Sequence, residues 1–206
     1  MKRAHIAMVM LAGIVAGGVV AHLATNRAKP PPQLERATLF AEPRALPVFE
    51  LVDQAGASFG AQRLRGEWTF LFFGFVNCPD VCPTTLATLA QVRKALADLP
   101  EGDLPGVVLV SVDPGRDTPR VLAEYVAHFD PSFAGATGSP AAIESVTQAL
   151  GVAVVAGPPA ADGNYAVDHT AAIFLVDPEG RFAALFNTPH EAGAIERDYR
   201  RIVAAR

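Results

Sequence analysis

The sequence predicts an α/β domain. Two largely apolar runs, Trp68 to Phe75 and Val107 to Val112, have the length and composition of strands buried on both faces. Segments whose apolar residues recur every three or four positions, the mark of helices that bury one face, lie between and after these runs. Three of them open on a proline, and strand-like and helix-like signals alternate towards the C-terminus.

The first segment stands apart from this pattern. Lys2 and Arg3 precede a run from Ile6 to Leu23 that is apolar apart from His22, and Arg27 and Lys29 follow it. About 18 such residues, rising 1.5 Å each, reach roughly 27 Å, enough to cross a bilayer core. Residues 1–25 therefore read as an N-terminal transmembrane helix. A signal peptide cleaved after Val19-Val20-Ala21 is the alternative. Either reading exports the remainder. Residues 26–43 include Pro30-Pro31-Pro32 and read as an extended linker, and residues 44–206 read as the folded domain.

Within that domain the Trp68–Phe75 strand leads to a helix opened by Pro83, with Leu86, Leu89, Val92, Leu96 and Leu99 as its apolar stripe. After the second strand, Thr118 is placed to cap a helix and Pro119 to occupy its first position. Val121, Leu122, Tyr125, Val126 and Phe129 form that helix's inner face. Ser139-Pro140 repeats the start signal for a shorter helix that stops near Gly151. Ala171–Val176 and Phe182–Phe186 flank Asp177-Pro178-Glu179-Gly180, whose turn residues predict a hairpin. A last amphipathic helix begins at about Glu191.

Half of the 206 residues are apolar and the formal net charge is −4. A nucleic-acid surface needs a basic footprint, and no basic run is present.

The chemistry gathers in Gly74-Phe75-Val76-Asn77-Cys78-Pro79-Asp80-Val81-Cys82-Pro83, which holds the chain's two cysteines. A buried strand ends here and a helix begins. Pro83, suited to a first turn, places Cys82 at or near the N-cap, where helix amides and the helix dipole favour a thiolate and lower the thiol pKa. A structural disulfide across so short a loop contributes only about 2 kcal/mol, which leaves redox or metal chemistry as the stronger readings. Two soft thiolates favour copper(I) or zinc over magnesium or calcium. Structural zinc usually takes four ligands, and no further cysteine exists. All three methionines lie in the first ten residues. His5 and His22 lie in the export segment, and His128 and His190, at helix ends, read as ordinary surface residues.

His169 remains. In thioredoxin-like folds a loop facing the cysteine pair leads into the penultimate strand as X-Pro-Thr before an apolar run and a turn. Val167-Asp168-His169-Thr170 precedes AAIFLVDPEG in the same layout, with histidine where that proline would stand. On this fold the imidazole points at the sulfurs, and two thiolates with one imidazole suit copper(I) better than tetrahedral zinc.

Three motifs, Gly74 to Pro83, Val110 to Pro119 (Val-Ser-Val-Asp-Pro-x-Arg-Asp-Thr-Pro) and Val167 to Thr170, resemble the Sco/SenC family of copper chaperones for cytochrome c oxidase assembly. The resemblance implies a thioredoxin-like domain, a central sheet flanked by helices, on the periplasmic or other extracytoplasmic side of the inner membrane, held by a single-pass anchor. It implies copper, as copper(I) or copper(II), bound by Cys78, Cys82 and His169. The implied partner is a copper-accepting or thiol-bearing protein such as oxidase subunit II. Asn77 stands where many relatives have histidine. Asp113 and Asp117 belong to the second motif and read as structural, at a strand-end turn and a helix start.

Two activities fit these residues. A metallochaperone would pass copper(I) to partner thiolates by ligand exchange. A thiol-disulfide oxidoreductase would use Cys78 and Cys82 as a redox-active pair on the cysteines of a copper protein. Three residues between the cysteines, and histidine in place of the loop proline, favour metal.

Overall fold

The computed structural model describes residues 32–158 and 164–205. The expected membrane segment, residues 1–25, lies outside the described residues. Among the described residues no helix is long and apolar enough to cross a membrane.

Residues from Gln33 to Ala204 form one compact unit. Its order is β1 (Ala37–Ala45), β2 (Leu51–Asp53), β3 (Ser58–Phe59), β4 (Thr69–Gly74), α1 (Val81–Ala95), β5 (Gly106–Ser111), α2 (Pro119–Phe129), β6 (Ala134–Thr137) and α3 (Pro140–Leu150). There follow β7 (Val154–Ala156), β8 (Val167–His169), β9 (Ile173–Val176), β10 (Arg181–Phe186) and α4 (Ala192–Ala204). Eight strands make one sheet in the order β1-β10-β9-β4-β5-β6-β2-β3, and β7 and β8 pair separately. β4, β5 and β6 run parallel, while β9 lies antiparallel against the other edge of β4.

β4 is central because its sequence allows it to be. All six of its residues are buried, as a continuous apolar run requires. Phe70 packs edge-on against Phe186, and Phe73 against Phe174, with centroids 5.8 and 5.5 Å apart. Each such ring, fully removed from water, contributes about 1.5–3 kcal/mol. The predicted helix starts hold for α2 and α3. Thr118 Oγ1 accepts from the Val121 amide, and Ser139 Oγ from that of Ala142. α3 closes on Gly151 in the left-handed conformation, φ 71°. The β9–β10 hairpin turns on Asp177, whose amide donates to the Arg181 carbonyl at 2.9 Å.

The structure departs from the sequence reading at the N-terminal side. Ala37–Ala45, most of it assigned to the linker, is a strand paired with β10. Asp198, wholly buried on α4, accepts from the amides of Glu35, Arg36 and Ala37 at 2.7–3.0 Å. A carboxylate that satisfies three amides at once turns an apparently featureless segment into ordered chain.

Candidate metal centre

β4 ends at Gly74, and the cysteine loop leaves from there. Gly74 is a steric requirement: a Cβ on it would stand 2.9 Å from Cys82 Sγ, and would also press on Phe72 and Leu109. No sequence argument singled out this glycine, although a glycine closing a buried aromatic strand is itself a signal of close approach. The loop turns through a bond from the Cys78 amide to the Phe75 carbonyl. It is held from behind by Asp117 Oδ2, which accepts from the Val76 amide at 3.0 Å and the Ser111 hydroxyl at 2.6 Å.

α1 begins at Val81 with Asp80 at its N-cap, so Cys82 lies inside the first turn and not at the cap. The first-turn amide of Cys82 donates to Cys78 Sγ at 3.4 Å, so one cysteine helps to cap the helix that carries the other. The expectation of a lowered thiol pKa at Cys82 is overturned. Burial, with Cys78 beside it, pushes the thiol well up. Cys82 has no exposed surface. The desolvation cost of a thiolate there outweighs what a helix terminus offers.

β8 brings His169 to the sulfurs, as the layout around residues 167–170 predicts. Its Nε2 lies 3.3 Å from Cys82 Sγ. Phe72 and Phe75 meet the imidazole edge-on at 6.0 and 5.8 Å and fix its plane. Nδ1 lies 3.1 Å from the Thr170 carbonyl, an atom that only accepts, so Nδ1 carries the hydrogen. Burial holds the ring's pKa below its ordinary value despite that bond, and the neutral ring leaves the Nε2 lone pair facing the thiols. The Cys82 S–H then donates to Nε2.

The donor atoms of Cys78, Cys82 and His169 all lie within 4.8 Å of one another, and among the described residues no other such cluster of His, Cys, Asp or Glu occurs. Both cysteines are free thiols. The donor set fits a soft, low-coordinate cation: two sulfurs, one neutral imidazole and no carboxylate ligand. A cleft of about 540 Å³ opens on Cys78 and His169 and is walled by Asn77, Pro79, Tyr165 and Asp168, while Cys82 is fully buried and does not line it. Asn77 is exposed at the rim.

Of the other histidines, His128 is exposed at the end of α2, as expected. His190 is not an ordinary surface residue. It is partly buried, Nδ1 lies 3.1 Å from the Thr85 hydroxyl, and burial lowers its pKa.

Bradyrhizobium japonicum ScoI with copper bound is 38% identical, with a TM-score of 0.68 over 76% of this chain and 98% of that one. Arabidopsis thaliana ScoI with copper bound is 33% identical, with a TM-score of 0.72 over 77% and 98%. These likenesses establish a mixed α/β, thioredoxin-like fold. The mitochondrial SCO2 homolog of Bos taurus is 40% identical over 159 residues, which are 76% of this chain and 59% of the bovine protein. The chain thus spans less than two thirds of that relative's length. The family model described as SCO1/SenC matches residues 40–204, which include the cysteine loop, the Asp113–Asp117 turn and His169. On that match, and on a thiol–imidazole cluster built where the family's motifs fall, the chain belongs to the SCO1/SenC family.

Proposed function

We propose that this protein is a copper(I) metallochaperone whose cargo is held by Cys78, Cys82 and His169. One observation carries the reading: a neutral imidazole whose lone pair lies 3.3 Å from one thiol, with the second thiol inside the same 4.8 Å cluster. A redox pair alone does not need that lone pair.

The unequal burial of the ligands supports an order of exchange. Cys78 and His169 line the cleft, whereas Cys82 is fully buried. Incoming partner thiolates displace the two outer ligands first and Cys82 last, so the cargo is never released to water. Uptake expels the proton that Cys82 shares with His169. The copper-bound state of the Bradyrhizobium and Arabidopsis relatives supports copper as that cargo. The acceptor is a thiol-bearing copper protein such as cytochrome c oxidase subunit II. Residues 1–25 tether the domain to the inner membrane, on its extracytoplasmic side.

The test is X-ray absorption and metal competition on the full chain, purified reduced and without air. The expected shell is two sulfurs and one nitrogen per copper, with His169→Ala weakening binding far more than His128→Ala. Equal losses would remove His169 from the site. Copper transfer to the reduced copper domain of oxidase subunit II, with none to a cysteine-free version, tests the acceptor.

A second reading rests on the two free thiols. Cys78 attacks a partner disulfide and expels one partner thiolate. Cys82 then attacks Cys78 Sγ, releasing the second thiol and leaving a Cys78–Cys82 disulfide, so two electrons pass to the partner. In that case His169→Ala leaves reduction largely intact while Cys82→Ser stops turnover.

A further inference from the structure

The turn after β5 touches both halves of the metal centre. Its Asp117 holds the cysteine loop through the Val76 amide. Its Asp113 reaches the histidine side, where the Tyr165 hydroxyl donates to Oδ1 at 2.5 Å and Arg116 Nε donates to Oδ2 at 2.5 Å. The Arg116 guanidinium also lies 3.7 Å from the centroid of the Tyr165 ring, and its Nη2 donates to the Tyr165 carbonyl at 3.2 Å. It also lies 6.0 Å from the centroid of Phe75, the ring that meets His169 edge-on. The Asp113 and Arg116 side chains are 2% and 19% exposed, so the pair is largely screened from water and its charge-assisted bonds are strong.

Tyr165 precedes His169 by four residues, and His169 closes β8. β8 belongs to a two-stranded sheet outside the main one, where its partner is the three-residue β7. Isolated pairs of this kind are marginal on their own. The imidazole therefore needs a second anchor if it is to stay over the sulfurs.

We propose that Asp113, Arg116 and Tyr165 form a clamp that fixes the His169 strand over Cys78 and Cys82, which makes Asp113 and Arg116 positioning residues for the metal centre. The clamp rests on the reading of His169 as a ligand. A motif that sequence alone assigns to a turn and a helix start is then the jig that sets the distance between the two halves of the site. Arg116 suits this role better than lysine would, since only a planar guanidinium stacks on Tyr165 while forking to a carboxylate and a carbonyl.

The test uses the reduced full chain, with copper(I) competition against a chromogenic chelator and, separately, the imidazole resonances of His169 in the metal-free protein. Asp113→Asn and Arg116→Ala are expected to weaken copper(I) binding by about 10–100-fold, as loss of an outer support does at metal sites, and to shift or broaden the His169 resonances. Arg116→Lys should restore only part of the loss. In a His169→Ala background the same substitutions should change affinity by less than about twofold. Equal losses in both backgrounds, or unchanged affinity with unchanged ring resonances, would overturn the clamp. Should Asp113→Asn fail to fold, Tyr165→Phe removes one hydroxyl and carries the same comparison. If wild-type binding proves insensitive to His169→Ala, the metal reading fails. The ring resonances alone then decide the clamp: a shift in Arg116→Ala sustains it, and no shift ends it.

Discussion

The imidazole of His169 donates through Nδ1 to the carbonyl of Thr170 at 3.1 Å, and this bond decides which nitrogen faces the thiols. Burial keeps the ring neutral and the Cys82 thiol protonated, so the metal-free centre is a closed S–H···N contact. Any cation that enters competes with a proton.

Copper(I) affinity should therefore rise with pH. Burial raises the Cys82 pKa and keeps the thiol protonated well beyond neutral pH, and each proton released on binding tightens apparent affinity by about tenfold per pH unit. Chelator competition between about pH 6 and pH 8 reads this slope. A flat profile would mean that Cys82 is not a ligand.

The two thiols should differ sharply in reactivity. Cys78 is 9% exposed and lines the cleft, while Cys82 has no exposed surface and a thiol pushed up by burial. Iodoacetamide on the reduced, metal-free chain should label Cys78 first, by at least about tenfold, since only an accessible thiolate is nucleophilic. Peptide mapping by mass spectrometry checks the order. Preferential labelling of Cys82 would reverse the assignment of Cys78 as the entering and leaving ligand.

Gly74→Ala places a methyl 2.9 Å from Cys82 Sγ. Overpacking of this kind costs about 1–3 kcal/mol, and because the nearest atom is a sulfur proposed to hold copper, copper(I) affinity should fall with it. Urea denaturation and chelator competition on the same variant measure both. A loss of stability with full affinity would show that the strain is absorbed by Phe72 and Leu109 instead.

His190 supplies a pH dependence of stability that is independent of metal. Its folded pKa lies below 6.5 because of burial, with a backbone bond at Phe186 opposing the shift. As pH falls below 6.5 the unfolded chain takes up the proton first, so stability is full above that pH and declines below it. His190→Gln should flatten the urea midpoint between about pH 8 and pH 5. An unchanged slope would assign the effect to other groups.

Much of this was legible in the chain and some was not, for definable reasons. β4 and the starts of α2 and α3 depend on local chemistry, an unbroken apolar run and Thr-Pro or Ser-Pro steps, and the structure has them where expected. β6 reads Ala-Gly-Ala-Thr and offers no hydrophobic period. Its burial follows from the parallel neighbour β5 and from Leu122 packed over Gly135. β1 is an edge strand with an irregular register between Leu39 and Arg44, and its partners lie far along the chain. The candidate site was legible as a set of three residues because two motifs share one fold. The protonation of Cys82 was not, since a helix-start argument is local and desolvation is a property of everything packed around the sulfur.

The attachment of Glu35, Arg36 and Ala37 to Asp198 has a mechanical side. Tension arriving along the chain from its N-terminal direction meets three amides gripping one carboxylate on the last helix, at the first residue of β1 and the two residues before it. The two ends of the domain thus behave as a single fastening. Peeling the leading segment away from β10 therefore also breaks its bonds to α4.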